Sequence, residues 1–492
     1  MKTHRVLPIL ATLALTVSLV PAAAGAAPSG SAVSPSLERG PQAIPAAVAT
    51  PAYGLFTCQV GLSSHVCYDP YQMRHAYNID TLINAGFTGR GETIVIVDAF
   101  QSPNIVSQLN YYDSFYGLPS LNGLGGPPDA SLGTFTQIAP DGLTLFDSTN
   151  GDMTGWAEEI SLDVLWSHAI APGANIVLDL AKSDQDPDIL SATKYAVDRR
   201  LGDVISQSFG ENESCVDPKI LAGEHQVYAK ATLQGMTLFA SSGDEGAAQL
   251  TCDGTSYVLA ASSPASDPLV TGVGGTELHA AGYCLTTLGC DPTTNPAAGT
   301  YQGEIAWNEF SSSIATGGGY SVLYRLPSYQ RSAVKGKQRG VPDVAYNAAV
   351  YHGVLTWLDI PGDATGWFLF GGTSAGSPQW AAIMAIADQK ARHDLGFINS
   401  ALYEIGSSSK TYAAALHDIT SGNNSVVEDV AVTGYNAGKG WDAPTGLGTP
   451  KVDQLVSYLI KDVSPLDGIL EIVESSPYFG NYPWFGGHER PH

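Results

Sequence analysis

From about Cys67 onward the apolar positions of this chain follow two alternating rhythms. Short β-branched runs recur, beginning with Glu92-Thr-Ile-Val-Ile-Val-Asp98, a continuous apolar stretch ending in an acid. Such a run predicts a strand buried on both faces. Further strands are predicted at 175–180, 203–206, 236–241, 269–273, 354–358 and 367–370, with stretches of helical period at 155–170, 187–201 and 221–233 between them. Strands alternating with helices imply right-handed crossovers and a mainly parallel sheet flanked by helices, an α/β fold whose chemistry gathers beyond the carboxyl ends of the strands. The region 282–312, rich in Gly, Thr and Asn, reads as surface loops, and no internal repeat is visible.

The two ends depart from this rhythm. Lys2 and Arg5 precede an apolar run from Val6 to Val20, then Pro21 and the small residues Ala22 to Ala27. This predicts a signal peptide over 1–26 and hence an exported, extracellular protein. The apolar run is short for a membrane span, and no later stretch is longer. Residues 27–66, opening in Ala, Pro, Ser and Gly with little periodicity, read as a flexible leader or short pro-segment before a domain over 67–462. The last stretch, 463–492, reads as a tail that packs on the domain or frays.

Composition narrows the partners. Against 23 basic residues stand 47 acidic ones, a formal net charge of -24. Such a field repels phosphate backbones and anionic lipid surfaces, so nucleic acid is excluded as a partner. An excess of carboxyls also suits acidic surroundings, where protonation relieves self-repulsion. Six cysteines with no CxxC pair, behind an export signal, favour disulfides over zinc thiolates. Sequence proximity pairs Cys58 with Cys67, Cys215 with Cys252, and Cys284 with Cys290.

The sharpest chemical signal is Phe370-Gly-Gly-Thr-Ser-Ala-Gly-Ser-Pro-Gln-Trp-Ala-Ala382, where glycines lead from a strand and Ser374 precedes a helix with Pro378 in its first turn. A serine there sits at the positive end of a helix. In Trp156-Ala-Glu-Glu-Ile-Ser-Leu-Asp163, Glu159 and Asp163 stand four apart and project from one helix face. By itself that pair also fits a solvated acidic face. A third segment, Phe239-Ala-Ser-Ser-Gly-Asp-Glu-Gly246, is a strand ending in a glycine-flanked acid, Asp244.

The block Gly372-Thr-Ser-Ala-Gly-Ser-Pro378 resembles the nucleophile segment shared by subtilisin-like and sedolisin-like serine peptidases. None of the 11 histidines stands in a subtilisin-like histidine motif; His352-Gly-Val354 opens a strand and is expected to be structural. The Glu-x-x-x-Asp helix, with the following Ile170-Ala-Pro-Gly-Ala-Asn-Ile176 turn, resembles that of the sedolisin family, as does the Asp244 loop. Residues 70–460 carry the likeness. It implies a subtilisin-like three-layer fold and a serine-carboxyl peptidase hydrolysing proteins or peptides in acid through an acyl-enzyme on Ser374. Glu159 would be the base, Asp163 its orienting partner, and a protonated Asp244 the donor to the oxyanion. Asp98 has two readings, a strand-end acid bound to backbone amides or an extra member of the acid network.

Near the C-terminus, 417–424 and 437–448 resemble the family's paired calcium segments. One structural Ca²⁺ is expected, with carboxylates from Asp418 and Asp442 and carbonyl oxygens from Ile419, Gly438 and Gly440. Read without the family, these are Asp-rich turns. The expected protein is a monomer, and departs from its family in having only a short segment where a large folded pro-domain is usual. Two other functions fit parts of the pattern: a Ser-His-Asp hydrolase using Asp98 and a histidine such as His168, and a non-catalytic exported protein retaining the fold.

Overall fold

The computed structural model describes residues 34–35, 43–46, 48–50, 55–281, 295–309, 313–427 and 431–475. In chain order the elements that position the site are β1 (Thr93–Ala99), β2 (Phe135–Ile138), α1 (Gly151–Ile170), β3 (Asn175–Ala181), α2 (Asp186–Arg199), β4 (Val204–Gln207), α3 (Pro218–Leu233), β5 (Thr237–Ser241), β6 (Thr271–Ala281), β7 (Thr300–Ala306), β8 (Val344–Asn347), β9 (His352–Asp359), β10 (Thr365–Phe370) and α4 (Gly376–Ala391). The main sheet has eight strands in the order β7-β6-β5-β4-β1-β3-β2, with β8 also on β6. Seven are parallel, and only β7 runs antiparallel. This is the α/β architecture that the alternation of apolar runs predicts.

Burial explains the strand patterns. Ile94, Val95, Ile96 and Val97 of β1 are all fully covered, as a central parallel strand with helices on both faces requires. Helices α1 and α4 pack on each other over one face, and α2 and α3 on each other over the opposite face. Helix α1 is buried almost all the way round, including Trp156 and Trp166. It starts at Asn150, whose side chain accepts from the backbone N–H groups of Asp152 and Met153 at 2.9 and 3.2 Å, satisfying two of the helix's otherwise unpaired donors. In-register pairing sets Asp98 of β1 opposite Leu180 of β3, and Val97 opposite Gln207 of β4. Asp98, Ser208 and the loop after Ser241 therefore leave the sheet at one edge.

One expectation is corrected. Thr300–Ala306, read as loop, forms antiparallel β7 against the second half of β6, the strand preceding it in the chain. Within the expected leader or pro-segment, several described residues are paired or buried. Ser34–Pro35 pairs with Phe209–Gly210, Ala43–Pro45 adds an antiparallel strand to β10, and Leu55 and Phe56 are buried. The described part of the tail packs on the domain, the first of its two expected readings, as a helix, Pro465–Glu474, whose Gly468 lies against Thr232 and Phe397. Disulfides join Cys58 to Cys67 and Cys215 to Cys252 as expected. The Cys284–Cys290 pair lies outside the described residues. No described helix is long and apolar enough to cross a membrane.

Candidate active site

The strand–turn–helix around Ser374 is built for close approach. Gly372 has φ +91°, a conformation favouring glycine, and a Cβ there would stand 2.5 Å from Asp244 Oδ2. Its absence lets the Asp244 carboxyl lie directly against the chain before the serine. Asp244 Oδ1 accepts from the Thr373 N–H at 2.7 Å and from the Thr373 hydroxyl at 2.8 Å. Oδ2 is buried and has no partner. Burial pushes the Asp244 pKa up to about 8 against the lowering effect of those two bonds, so in acid Oδ2 carries a proton and becomes a donor.

Ser374 is fully buried between Asp244's loop and α1, and its hydroxyl donates to the Ser208 carbonyl at 3.3 Å. Glu159 stands beside it, close enough for the hydroxyl to lower the carboxyl's pKa. Burial, then Asp163 and Asp98, act the other way and hold Glu159 well above the ordinary carboxylate range. Asp163 is raised by burial and eased by Ser208 and Glu159. Asp98 is raised by burial and by Asp163. Glu159, Asp163 and Asp98 have no exposed surface, and none of their six carboxylate oxygens has a hydrogen bond of good geometry. Like charges so placed cannot all ionise, so the three share protons.

All four predicted residues thus come together, buried, beyond the carboxyl ends of β1, β4 and β5. Asp98 binds no backbone amide, which removes one of its two readings and leaves it in the acid network. Ser208 and the anchoring role of Thr373 went unread in the sequence; the polar run Ser206-Gln-Ser208 closing an otherwise apolar strand is the signal that marks the former. The histidine alternative fails on geometry. His168, nine residues beyond Glu159, is about half a turn out of phase on α1. Its Nε2 is held 2.9 Å from the Pro119 carbonyl and 3.2 Å from Asp113. Among the described residues no histidine bonds to Ser374.

The C-terminal segments also come together. Asp418 Oδ1 accepts from the Gly440 N–H at 3.0 Å, and Asp442 Oδ2 from the Gly438 N–H at 2.8 Å. Burial, with help from Asp418, raises the Asp442 pKa to about 6. Among the described residues no ion pair reaches either carboxylate, and no hydrogen bond ends on the carbonyl oxygens of Ile419, Gly438 or Gly440. Two carboxylates with free carbonyls nearby fit a hard cation.

A buried serine at the strand–helix turn of this parallel sheet, faced by carboxylates, defines the class: a serine-type peptidase. No family model matches the chain. Kumamolisin of Bacillus sp. (strain MN-32) is 30% identical over 423 residues, 84% of this chain and 67% of that protein. Sedolisin of Pseudomonas sp. (strain 101) is 32% identical over 390 residues, 76% of this chain and 58% of that one. Human tripeptidyl-peptidase 1 is 29% identical over 329 residues, 61% and 52% respectively. The solved structure of Pseudomonas sedolisin, a serine-carboxyl proteinase complexed with two molecules of pseudo-iodotyrostatin, superposes with a TM-score of 0.67 at 27% identity, covering 82% of this chain and all of that one. The chain belongs to the sedolisin family of serine-carboxyl peptidases.

Proposed function

We propose that the protein hydrolyses peptide bonds of proteins or peptides in acid by acyl transfer through Ser374. One observation carries the reading: the Ser374 hydroxyl lies among buried carboxyls that have no cationic partner, one of which can take a proton and another give a hydrogen bond. Ionised Glu159 accepts the Ser374 proton as the hydroxyl attacks the scissile carbonyl, forming a tetrahedral intermediate. Asp163, one turn along α1, orients Glu159, and Asp98 keeps a proton within the cluster. Protonated Asp244 donates from Oδ2 to the developing oxyanion. Collapse expels the leaving amine with the proton held by Glu159. Water then attacks the ester, Glu159 again acting as base, and releases the acid product. The cycle needs one carboxyl ionised and another protonated, which confines it to a window of pH.

Residues 1–26 are proposed as a signal peptide and the protein as exported and monomeric. Residues 27–66 are proposed as a short pro-segment. Supporting this, Ser34–Pro35 pairs along Phe209–Gly210, the residues following Ser208, so a substrate strand reaching Ser374 would compete with it. Asp418 and Asp442, with the carbonyls of Ile419, Gly438 and Gly440, would hold Ca²⁺, which supplies cross-linking of the C-terminal loops when bound.

The testing experiment is a pH profile of hydrolysis of an unfolded protein, run beside Ser374→Ala and Glu159→Gln. A maximum in acid, abolished by both substitutions, is expected. A neutral optimum surviving Glu159→Gln would overturn the assignment of the base, and no hydrolysis by the wild type at any pH would leave a binding role.

A further inference from the structure

On the far part of β6, past the strands that carry the acid network, Glu277 and His279 lie two apart and so share one face of the strand. Against them stands His352, the first residue of β9. The donor atoms of the three all lie within 4.8 Å of one another. Glu277 Oε1 is 3.2 Å from His279 Nε2 and 3.7 Å from His352 Nε2. Three ligands at about 2.1 Å from a tetrahedral ion stand about 3.4 Å apart, so the spacing needs only small rotamer changes to close.

Further features point the same way. His352 Nδ1 lies 2.9 Å from the Leu278 carbonyl, a bond in which the ring N–H donates. In the neutral ring, that tautomer turns the lone pair of Nε2 towards the Glu277 carboxylate, an acceptor facing an acceptor. A backbone carbonyl fixing the remote nitrogen is the arrangement by which metal-binding imidazoles are commonly oriented. Among the described residues no Lys or Arg pairs with Glu277. The cluster also opens onto a cavity of about 390 Å³, bounded by His279, His352, Tyr68, Gln72 and Gln302. His279 keeps 44% of its side-chain surface exposed, leaving room for a water or other fourth ligand.

We propose that Glu277, His279 and His352 form a binding site for a divalent transition ion of the zinc class. Two imidazoles and one carboxylate suit a borderline ion, whereas the all-oxygen set around Asp418 and Asp442 suits calcium, so the two sites select different metals. The ion clamps β6 of the main sheet to β9. Val354 of β9 pairs with Phe370, the last residue of the strand that runs into the Ser374 turn. The ion thereby braces the frame of the nucleophile without touching substrate.

The test is titration of the full, chelator-treated protein with Zn²⁺ by calorimetry, and with Co²⁺ by visible absorption, at pH 7. One Zn²⁺ equivalent at micromolar affinity or tighter is expected, with Co²⁺ bands of imidazole–carboxylate ligation. His279→Ala and Glu277→Gln should each weaken binding by about tenfold or more. The double substitution His488→Ala/His492→Ala in the C-terminal stretch should leave it unchanged. Absence of stoichiometric binding, or affinity insensitive to both His279→Ala and Glu277→Gln, would sink the proposal. Circular dichroism of each variant separates lost ligation from lost fold; should His279→Ala unfold, Glu277→Gln decides.

Discussion

Two groups of carboxyls in this molecule are equally sealed from water and meet opposite fates. Asp343 is buried with Arg339, which donates to its two oxygens at 2.7 and 2.5 Å. The same oxygens also accept from the Gly272 N–H at 2.9 Å and the Tyr403 hydroxyl at 3.0 Å. Glu159, Asp163 and Asp98 have no cation and no well-formed hydrogen bond. Burial alone therefore does not make a reactive carboxyl. A desolvated acid with its charge compensated is a strut; one left uncompensated holds a proton it would give up in water, and can exchange that proton with a neighbouring hydroxyl.

Breaking the reactive group should destroy activity and spare the fold. Ser374→Ala and Glu159→Gln are each expected to lower kcat by about 10⁴-fold or more. Thermal midpoints should hold or rise, because neither change leaves a new unpaired charge. Breaking the strut should do the reverse. Arg339→Met strands Asp343 without its partner and is expected to cost about 3–5 kcal/mol in denaturant unfolding. The pH profile of the surviving activity should keep its shape. A shifted profile would mean that the two regions are coupled electrostatically.

The comparison also sets the sign of the pH dependence of stability. Groups whose folded pKa exceeds the unfolded value bind more protons when native, so the stability they supply is complete below about pH 4 and is lost as pH rises through their folded values. For Asp244 that upper bound is about 8. Glu213, Glu224 and Asp179 are also raised chiefly by burial, to about 7, 8 and 8. The thermal midpoint should therefore fall between pH 4 and 8. A midpoint that climbs over that range would show these carboxyls to be ionised in the native state.

The legible parts of the molecule were those written locally. The strand ending in Asp98, the four-residue spacing of Glu159 and Asp163, and the glycines before Ser374 each carry their geometry within a few residues. What escaped depends on partners that lie beyond the reach of a short sequence pattern. Thr300–Ala306 becomes a strand only because β6 offers it an edge, and residues 43–45 only because β10 does. The approach of Asp98 to Asp163 joins two elements that no short pattern links. His352 likewise reads as an isolated strand residue until Glu277, 75 positions earlier, is brought beside it.

The smallest predicted effect sharpens the contrast most. Glu158 and Glu159 are adjacent on α1, and burial raises both, Glu158 to about 7 with Asp363 adding to it. Judged by titration alone either could be a base. Helical geometry separates them by about 100° around the axis, so only one can face Ser374 while the next turn's Asp163 lies beneath it. Asp163 is four residues from Glu159 and five from Glu158, which puts it on the face of the former. Glu158→Gln is accordingly expected to leave kcat within about threefold and stability within about 0.5 kcal/mol, the range of a change that breaks no buried network. The measurement is steady-state hydrolysis of one peptide by the two glutamine variants side by side. A loss for Glu158→Gln as deep as that for Glu159→Gln would mean that the raised pKa, and not the direction of the carboxyl, selects the base.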